Sequence, residues 1–201
     1  MAGMMAFDRL FETDRLIFQA FNNGPERKAF VTKLMSADTA AYAQSTNQLL
    51  VPPRTDDAER VSGPGSNDVL SVVICLRPEP GSGREPTMVG SLSLDCPPTT
   101  RHHRSLNLGI LIATEHQGRG YGTEAINWAL DWAFAVAGVH AVRLTAFSYN
   151  ERGIKLYERL GFVKEGIRRE SLYFNCQWHN HVMYSMLEKE WAELRGRKIA
   201  A

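Results

Sequence analysis

The sequence predicts an α/β fold, one mixed and mostly antiparallel twisted sheet flanked by helices. Three observations carry that prediction. Strand-like runs recur at residues 16–21, 69–76, 87–95, 106–112, 139–147, 162–174 and 181–187. Helical patterns interrupt them after the first, fourth and fifth runs, and a glycine-rich turn leads from the fourth run into the longest helix. A strand–helix–strand passage calls for a parallel crossover, whereas strands that follow one another directly pair as hairpins. The order β-α-α-β-β-β-α-β-α-β-β therefore makes strands four and five the parallel pair.

Each element has its own reason. Residues 16–21 form a strand after Glu12-Thr13-Asp14-Arg15. Pro25 suits the first turn of a helix over 25–35, since its missing N–H is one that a helix start leaves unbonded anyway. Residues 37–48 are a second helical candidate. Residues 51–68 carry Pro52-Pro53, Gly63-Pro64-Gly65 and Asn67-Asp68, and read as a loop. Residues 69–76 are rich in β-branched side chains, and 87–95 return as the partner strand after the connection 78–86. After the fourth strand, Ile126, Ala129, Leu130 and Ala133 make one apolar stripe on a helix over 124–137. Trp128 and Trp132 stand one turn apart on a neighbouring face, where they read as packing residues, and Gly138 ends the helix. In 139–147, Val142, Leu144 and Ala146 alternate with Arg143 and Thr145. Residues 152–160 form a short helix stopped by Gly161. The last two strands are joined through Asn175-Cys176-Gln177-Trp178, and the tail 189–201 is polar, with its last few residues expected to fray.

The most informative stretch is Gln117-Gly118-Arg119-Gly120-Tyr121-Gly122-Thr123. The first turn of a helix has N–H groups without intrahelical partners and partial positive charge from the dipole. Glycines in front of it let the backbone approach a pyrophosphate closely. Arg119 offers a charge-assisted contact to a phosphate oxygen. No Gly-Lys-Ser/Thr follows, so this is not a nucleotide P-loop, and the Gly-x-Gly-x-x-Gly order of a dinucleotide site is absent.

What the stretch matches is Gln-x-x-Gly-x-Gly, and there it resembles the coenzyme A pyrophosphate loop of the GNAT superfamily of N-acetyltransferases. A second block agrees: Ser148-Tyr149-Asn150, then Ile154, Tyr157 and Leu160-Gly161-Phe162. The resemblance covers nearly the whole chain and implies a GNAT fold in which strands four and five splay apart. It implies acetyl-CoA as cosubstrate. The pantetheine arm would pair with the backbone of Ile110, Leu111 and Ile112, as an added strand pairs with a free sheet edge. A backbone N–H there would polarise the thioester carbonyl. Residues from Gln117 to Thr123 would hold the pyrophosphate. Asn150 would bond the arm or cap the following helix, a role that asparagine also favours. Tyr157 would protonate or hydrogen-bond the departing thiolate.

The base that takes the amine proton is not readable from the chain. Glu115, His102, His103, Asp95, Glu170 and a water relay are the candidates, and Asn107 stands where some family members carry a glutamate. The segment around Arg15 and the closing segment from Gly166 to Trp191 resemble the branch that holds ribosomal-protein N-terminal and spermidine acetyltransferases. The expected acceptor is the α-amine of a protein or peptide. A small amine (polyamine, amino acid or antibiotic) is the alternative, and a non-catalytic acyl-CoA-binding module the less favoured one. No cysteine sits where a covalent acetyl intermediate is expected, so direct attack in a ternary complex follows.

Composition bounds the rest. The 201 residues suit one domain, and a net charge of +1 argues against a dedicated nucleic-acid binder. No apolar run approaches the ~20 residues needed to span a bilayer. Cys75, Cys96 and Cys176 have no metal-ligand spacing, and an odd number of scattered cysteines fits free thiols in a reducing compartment. The N-terminal residues lack a secretory pattern. A soluble cytoplasmic protein, monomeric or homodimeric, is the expectation.

Overall fold

The computed structural model describes residues 9–21, 24–36, 38, 67–79 and 81–197. The elements are β1 (Leu16–Ala20), α1 (Pro25–Ser36), β2 (Asp68–Leu76), β3 (Thr87–Asp95), β4 (Ser105–Ile112), α2 (Tyr121–Ala135), β5 (Ala141–Phe147), α3 (Glu151–Arg159), β6 (Val163–Phe174), β7 (Gln177–Leu187) and α4 (Glu188–Leu194). The helical candidate 37–48 apart from Asp38, and the loop 51–68 apart from Asn67 and Asp68, lie outside the described residues. The strands make one sheet in the order β1-β2-β3-β4-β5-β7-β6. Every neighbouring pair is antiparallel except β4 and β5, as the crossover through α2 requires.

Alternation along the strands separates two cores. Val72 and Ile74 of β2, Leu106 of β4, Val142 of β5 and Met186 of β7 meet the stripe Ile126, Ala129, Leu130 and Ala133 of α2. On the other face, Val73 and Cys75 meet Phe21 and Val31, while Leu111 and Ala113 meet Leu34 of α1. Trp128 stacks on Phe18 with ring centroids 3.6 Å apart, and its indole N–H donates to the Leu10 carbonyl. Both Trp128 and Trp132 belong to this packing, as their spacing suggested.

Helix α2 begins at Tyr121, three residues earlier than periodicity indicates, because Gly120 in the left-handed region is its N-cap. The last hairpin is tighter than expected. Asn175 and Cys176, with φ of 50° and 59°, form a two-residue turn, and β7 starts at Gln177. Two left-handed residues match the strand twist, so pairing runs to the tip. The tail is also more ordered than its polarity suggests. The Glu190 carboxylate accepts the Leu187 N–H at 2.7 Å to cap α4, and the buried Trp191 stacks on Phe134. The Trp191 indole N–H donates to Asp131 of α2. Two apolar residues in one turn suffice to dock a helix whose other positions are polar.

The feature that positions the site is a ladder that stops. β4 and β5 pair only at Ser105–Ala141, Leu106–Val142 and Asn107–Arg143. Beyond them β4 runs on to Ile112 beside β3, and β5 runs on to Phe147 beside β7. The sheet opens there into a wedge, the splay that the resemblance implied.

Candidate active site

A cavity of about 330 Å³ lies at the wedge on the α2 and α3 side, lined by the end of β4, residues 116–118 and 120–123, Asn150 just after β5, and one face of α3. Its size falls within the range of small-molecule sites. The loop shape comes from Gly118 and Gly120, with φ of 80° and 83°, a region costly for residues with a Cβ. The Gly120 carbonyl accepts the first helical bond, from the N–H of Glu124, so the N–H groups of residues 118–123 stand ahead of the helical ladder. Gly122 matters for space. A Cβ there would lie 3.8 Å from Ile112 and Leu156, both cavity residues, and would occupy the cavity without clashing with the protein.

An ionic bracket holds the loop from behind. The Arg15 guanidinium donates to Glu124 at 2.7 Å and to the Arg119 carbonyl at 3.0 Å, and lies 5.0 Å from the Tyr121 ring centroid. Thr13 donates to the same carboxylate at 2.6 Å, and the Arg15 N–H at 3.1 Å. Burial pushes the Glu124 carboxyl up, but these hydrogen bonds and the adjacent guanidinium outweigh it and hold the group below its ordinary value.

Of the sequence-predicted cofactor residues, Ile110, Leu111, Ile112, Gln117, Gly118, Gly120, Tyr121, Gly122, Thr123, Asn150 and Tyr157 line the cavity. Two turn out differently in role. Arg119 does not line it and contributes its carbonyl to Arg15 instead. Leu111 directs its backbone to β3: the Ala113 N–H donates to Val89, so the odd-numbered residues of β4 bond β3 and the even-numbered ones face the wedge. The edge that faces the cavity is therefore Ile110 and Ile112. The Ile112 carbonyl already accepts the Gln117 side-chain N–H at 2.9 Å.

Asn150 caps α3, its side-chain oxygen accepting the Gly153 N–H at 2.9 Å. Tyr157 packs edge-on against Phe162. Its hydroxyl has no hydrogen-bond partner among the described residues, and burial pushes its phenol up, so it is a proton donor at neutral pH.

Sequence reasoning missed His116, Arg152, Gly153, Leu156 and Arg159, which also line the cavity. Arg152, Leu156 and Arg159 recur at helical spacing and lie on one face of α3. Once Asn150 and Tyr157 were placed at the site, that spacing was the signal available. Arg152 donates to Gln117 at 3.4 Å. Two arginines, a helix N-terminus and no carboxylate make the lining electropositive, which suits a polyphosphate.

None of the five candidate bases lines this cavity. Asp95 pairs with Asn107, and His102 and His103 precede Ser105, so all three sit at the closed end of the wedge. Burial pushes Asp95 up, but that site is remote from Ile112. Glu115 is exposed beside His116, and Glu170 lies on β6, where its N–H bonds Asn180.

Residues 9–163 match the model of the GNAT acetyltransferase domain. The spermidine N(1)-acetyltransferase of Vibrio cholerae is 38% identical over 78 residues, 39% of this chain and 45% of that protein. The ribosomal protein uS5 alanine N-acetyltransferase of Escherichia coli is 31% identical over 84 residues, 42% of this chain and 43% of that protein. The chain spans about half the length of the curated relatives it matches. Among solved structures, the Vibrio cholerae spermidine N-acetyltransferase in complex with CoA and spermine superposes with a TM-score of 0.71 at 23% identity, over 89% of this chain and 99% of that one. A GNAT-family acetyltransferase from Bacillus anthracis gives 0.68 at 15% identity, over 89% and 98%. At such identities the structures speak for the fold, and the domain match speaks for the family. With the interrupted β4–β5 ladder and the glycine loop in place, the chain belongs to the GNAT acetyltransferase family.

Proposed function

We propose that this protein transfers the acetyl group of acetyl-CoA to a primary amine by direct attack in a ternary complex. The observation that carries the reading is the cavity itself: two left-handed glycines, a free helix N-terminus and two arginines at the open end of a split sheet. The residues present fit the coenzyme. The N–H groups of Gly118 to Thr123 would receive the pyrophosphate, with Arg152 and Arg159 adding charge. Ile110 and Ile112 offer strand-edge groups to an amide-bearing arm. Bound there, acetyl-CoA supplies an activated acyl group and a thiolate leaving group. Tyr157 would donate its proton to that thiolate.

The acceptor we favour is the α-amine of a protein or peptide. Such an amine titrates near ~8, so a weak base suffices to free it. The residues described around the wedge offer no dense carboxylate cluster of the kind a polycation would seek. A polyamine acceptor is the second reading, and the spermidine acetyltransferases among the relatives support it equally.

Calorimetric titration with acetyl-CoA, followed by thiol release against α-amino peptides, polyamines and amino acids, tests both. Binding with turnover on one class identifies the acceptor. Binding without turnover on any class would favour an acyl-CoA sensor, and no binding would remove the coenzyme assignment.

A further inference from the structure

The wedge between β4 and β5 opens on both faces of the sheet, and the face opposite the coenzyme cavity carries an unassigned group of side chains. Leu144 and Ala146 of β5, like Val182 and Tyr184 of β7, face α2 and α3. Phe147 and its cross-strand partner His181 therefore face away from the coenzyme cavity, on the same side as Leu111. Around them lie Tyr149, Phe174 and His179. The Tyr149 ring centroid is 5.3 Å from Phe147, 5.2 Å from Phe174 and 5.1 Å from His179, and Phe147 is 5.4 Å from His181. Tyr149 adjoins Asn150, which lines the cavity, so this wall ends where the coenzyme site begins.

Within the wall, His181 bonds a serine of the neighbouring strand. Its Nδ1 lies 2.8 Å from the Ser171 hydroxyl, which also lies 3.1 Å from the Arg168 carbonyl and receives the His181 backbone N–H at 3.3 Å. A carbonyl cannot donate, so the Arg168 contact is satisfied when the hydroxyl proton points to it; in that arrangement Nδ1 carries a proton, donates it to Ser171 and leaves the Nε2 lone pair open.

We propose that His181, through Nε2, accepts the proton of the incoming amine, with Ser171 as the positioning residue that sets its tautomer. The inference rests on the acetyl-transfer reading above. The step balances. A neutral amine nitrogen forms the new bond to the acetyl carbon as the carbon–sulfur bond breaks. The amine proton passes to His181, and the thiolate takes the Tyr157 proton. Tyr157 then recovers a proton from water while His181 releases one. Burial lowers the His181 pKa, and Arg168 on β6 lowers it further. The other titratable groups of the wall are Tyr149 and His179, and β5 presents the apolar Phe147. At neutral pH the imidazole is thus unprotonated, matched to an α-amine rather than to a more basic one.

The test is His181→Gln, read by acceptor kcat/KM across pH 5–9, beside acetyl-CoA titration and the nitrogen NMR spectrum of the imidazole. We expect acceptor kcat/KM at neutral pH to fall about a hundredfold, with the acid limb of the profile lost and acetyl-CoA affinity changed less than about twofold. In the unmutated protein Nδ1 carries the proton, and Ser171→Ala gives a mixture of tautomers. Turnover by H181Q within about threefold of the parent, with an unchanged acid limb, overturns the proposal. An Nε2–H tautomer in the parent overturns it without reference to turnover. A parent that binds acetyl-CoA yet acetylates nothing overturns the transferase reading itself, a result distinct from both.

Discussion

Replacing Tyr157 with phenylalanine removes one oxygen atom, the one to which the proposed function gives the proton-donor role. The hydroxyl makes no hydrogen bond among the described residues, while the ring keeps its contacts with Phe162 and Tyr184 at centroid distances of 6.1 and 6.3 Å. Nothing internal is lost, so the unfolding free energy should move by no more than about 0.5 kcal/mol. Acetyl-CoA affinity should also hold, since the groups proposed to receive the phosphates lie on the loop and on Arg152 and Arg159. The loss should appear in turnover. A positioned proton donor contributes about 10²–10⁴-fold, and the lower bound corresponds to about 2.7 kcal/mol of transition-state stabilisation. Burial keeps the phenol protonated past its ordinary range, so parent activity should persist at alkaline pH until that raised pKa is reached. The assay is thiol release at saturating acceptor, with calorimetry for coenzyme affinity and thermal melting for stability. Y157F turning over within about threefold of the parent, at equal coenzyme affinity, would refute the donor role.

Three further outcomes follow from the geometry. Gly122→Val places methyl groups in the cavity beside Ile112 and Leu156, so the acetyl-CoA dissociation constant should rise at least about tenfold, or about 1.4 kcal/mol, with no loss of melting temperature. Glu124 has a depressed pKa in the fold, so its contribution is present above its unfolded value and is lost as pH falls through the folded one. Urea unfolding should show stability declining below about pH 4, and Glu124→Gln should flatten that part of the profile. Trp191→Ala removes the anchor of α4 and its bond to Asp131, and should cost about 3 kcal/mol or more in denaturant unfolding while leaving coenzyme contacts intact.

Much of this site could be read from the chain because its chemistry is local. Gly118, Gly120 and Gly122 stand at neighbouring positions where one strand ends and one helix begins, and that junction makes phosphate-binding N–H groups wherever it occurs. Asn150 and Tyr157 belong to a single cap-and-helix unit. Arg119 was legible as a charge but not as a direction, since Arg15 takes its carbonyl from 104 positions away. Leu111 sat in the right strand, but which way its amide points depends on the β3 register. The five candidate bases stand outside the cavity lining for the same reason. Their types were suitable, but only the folded sheet shows that Asp95, His102 and His103 lie at the paired end of the wedge.

By itself the sequence determined the order of the seven strands and of helices α1 to α3 among the described residues, the single parallel pair and the glycine-rich loop before α2. Each follows from periodicity, capping and glycine conformation within a dozen or so neighbouring residues. The tertiary structure alone decided where the β4–β5 ladder ends, which strand groups face the gap, and which face of the opened sheet carries His181. Those depend on registers between strands far apart in the chain, where a shift of one residue turns every side chain to the other face.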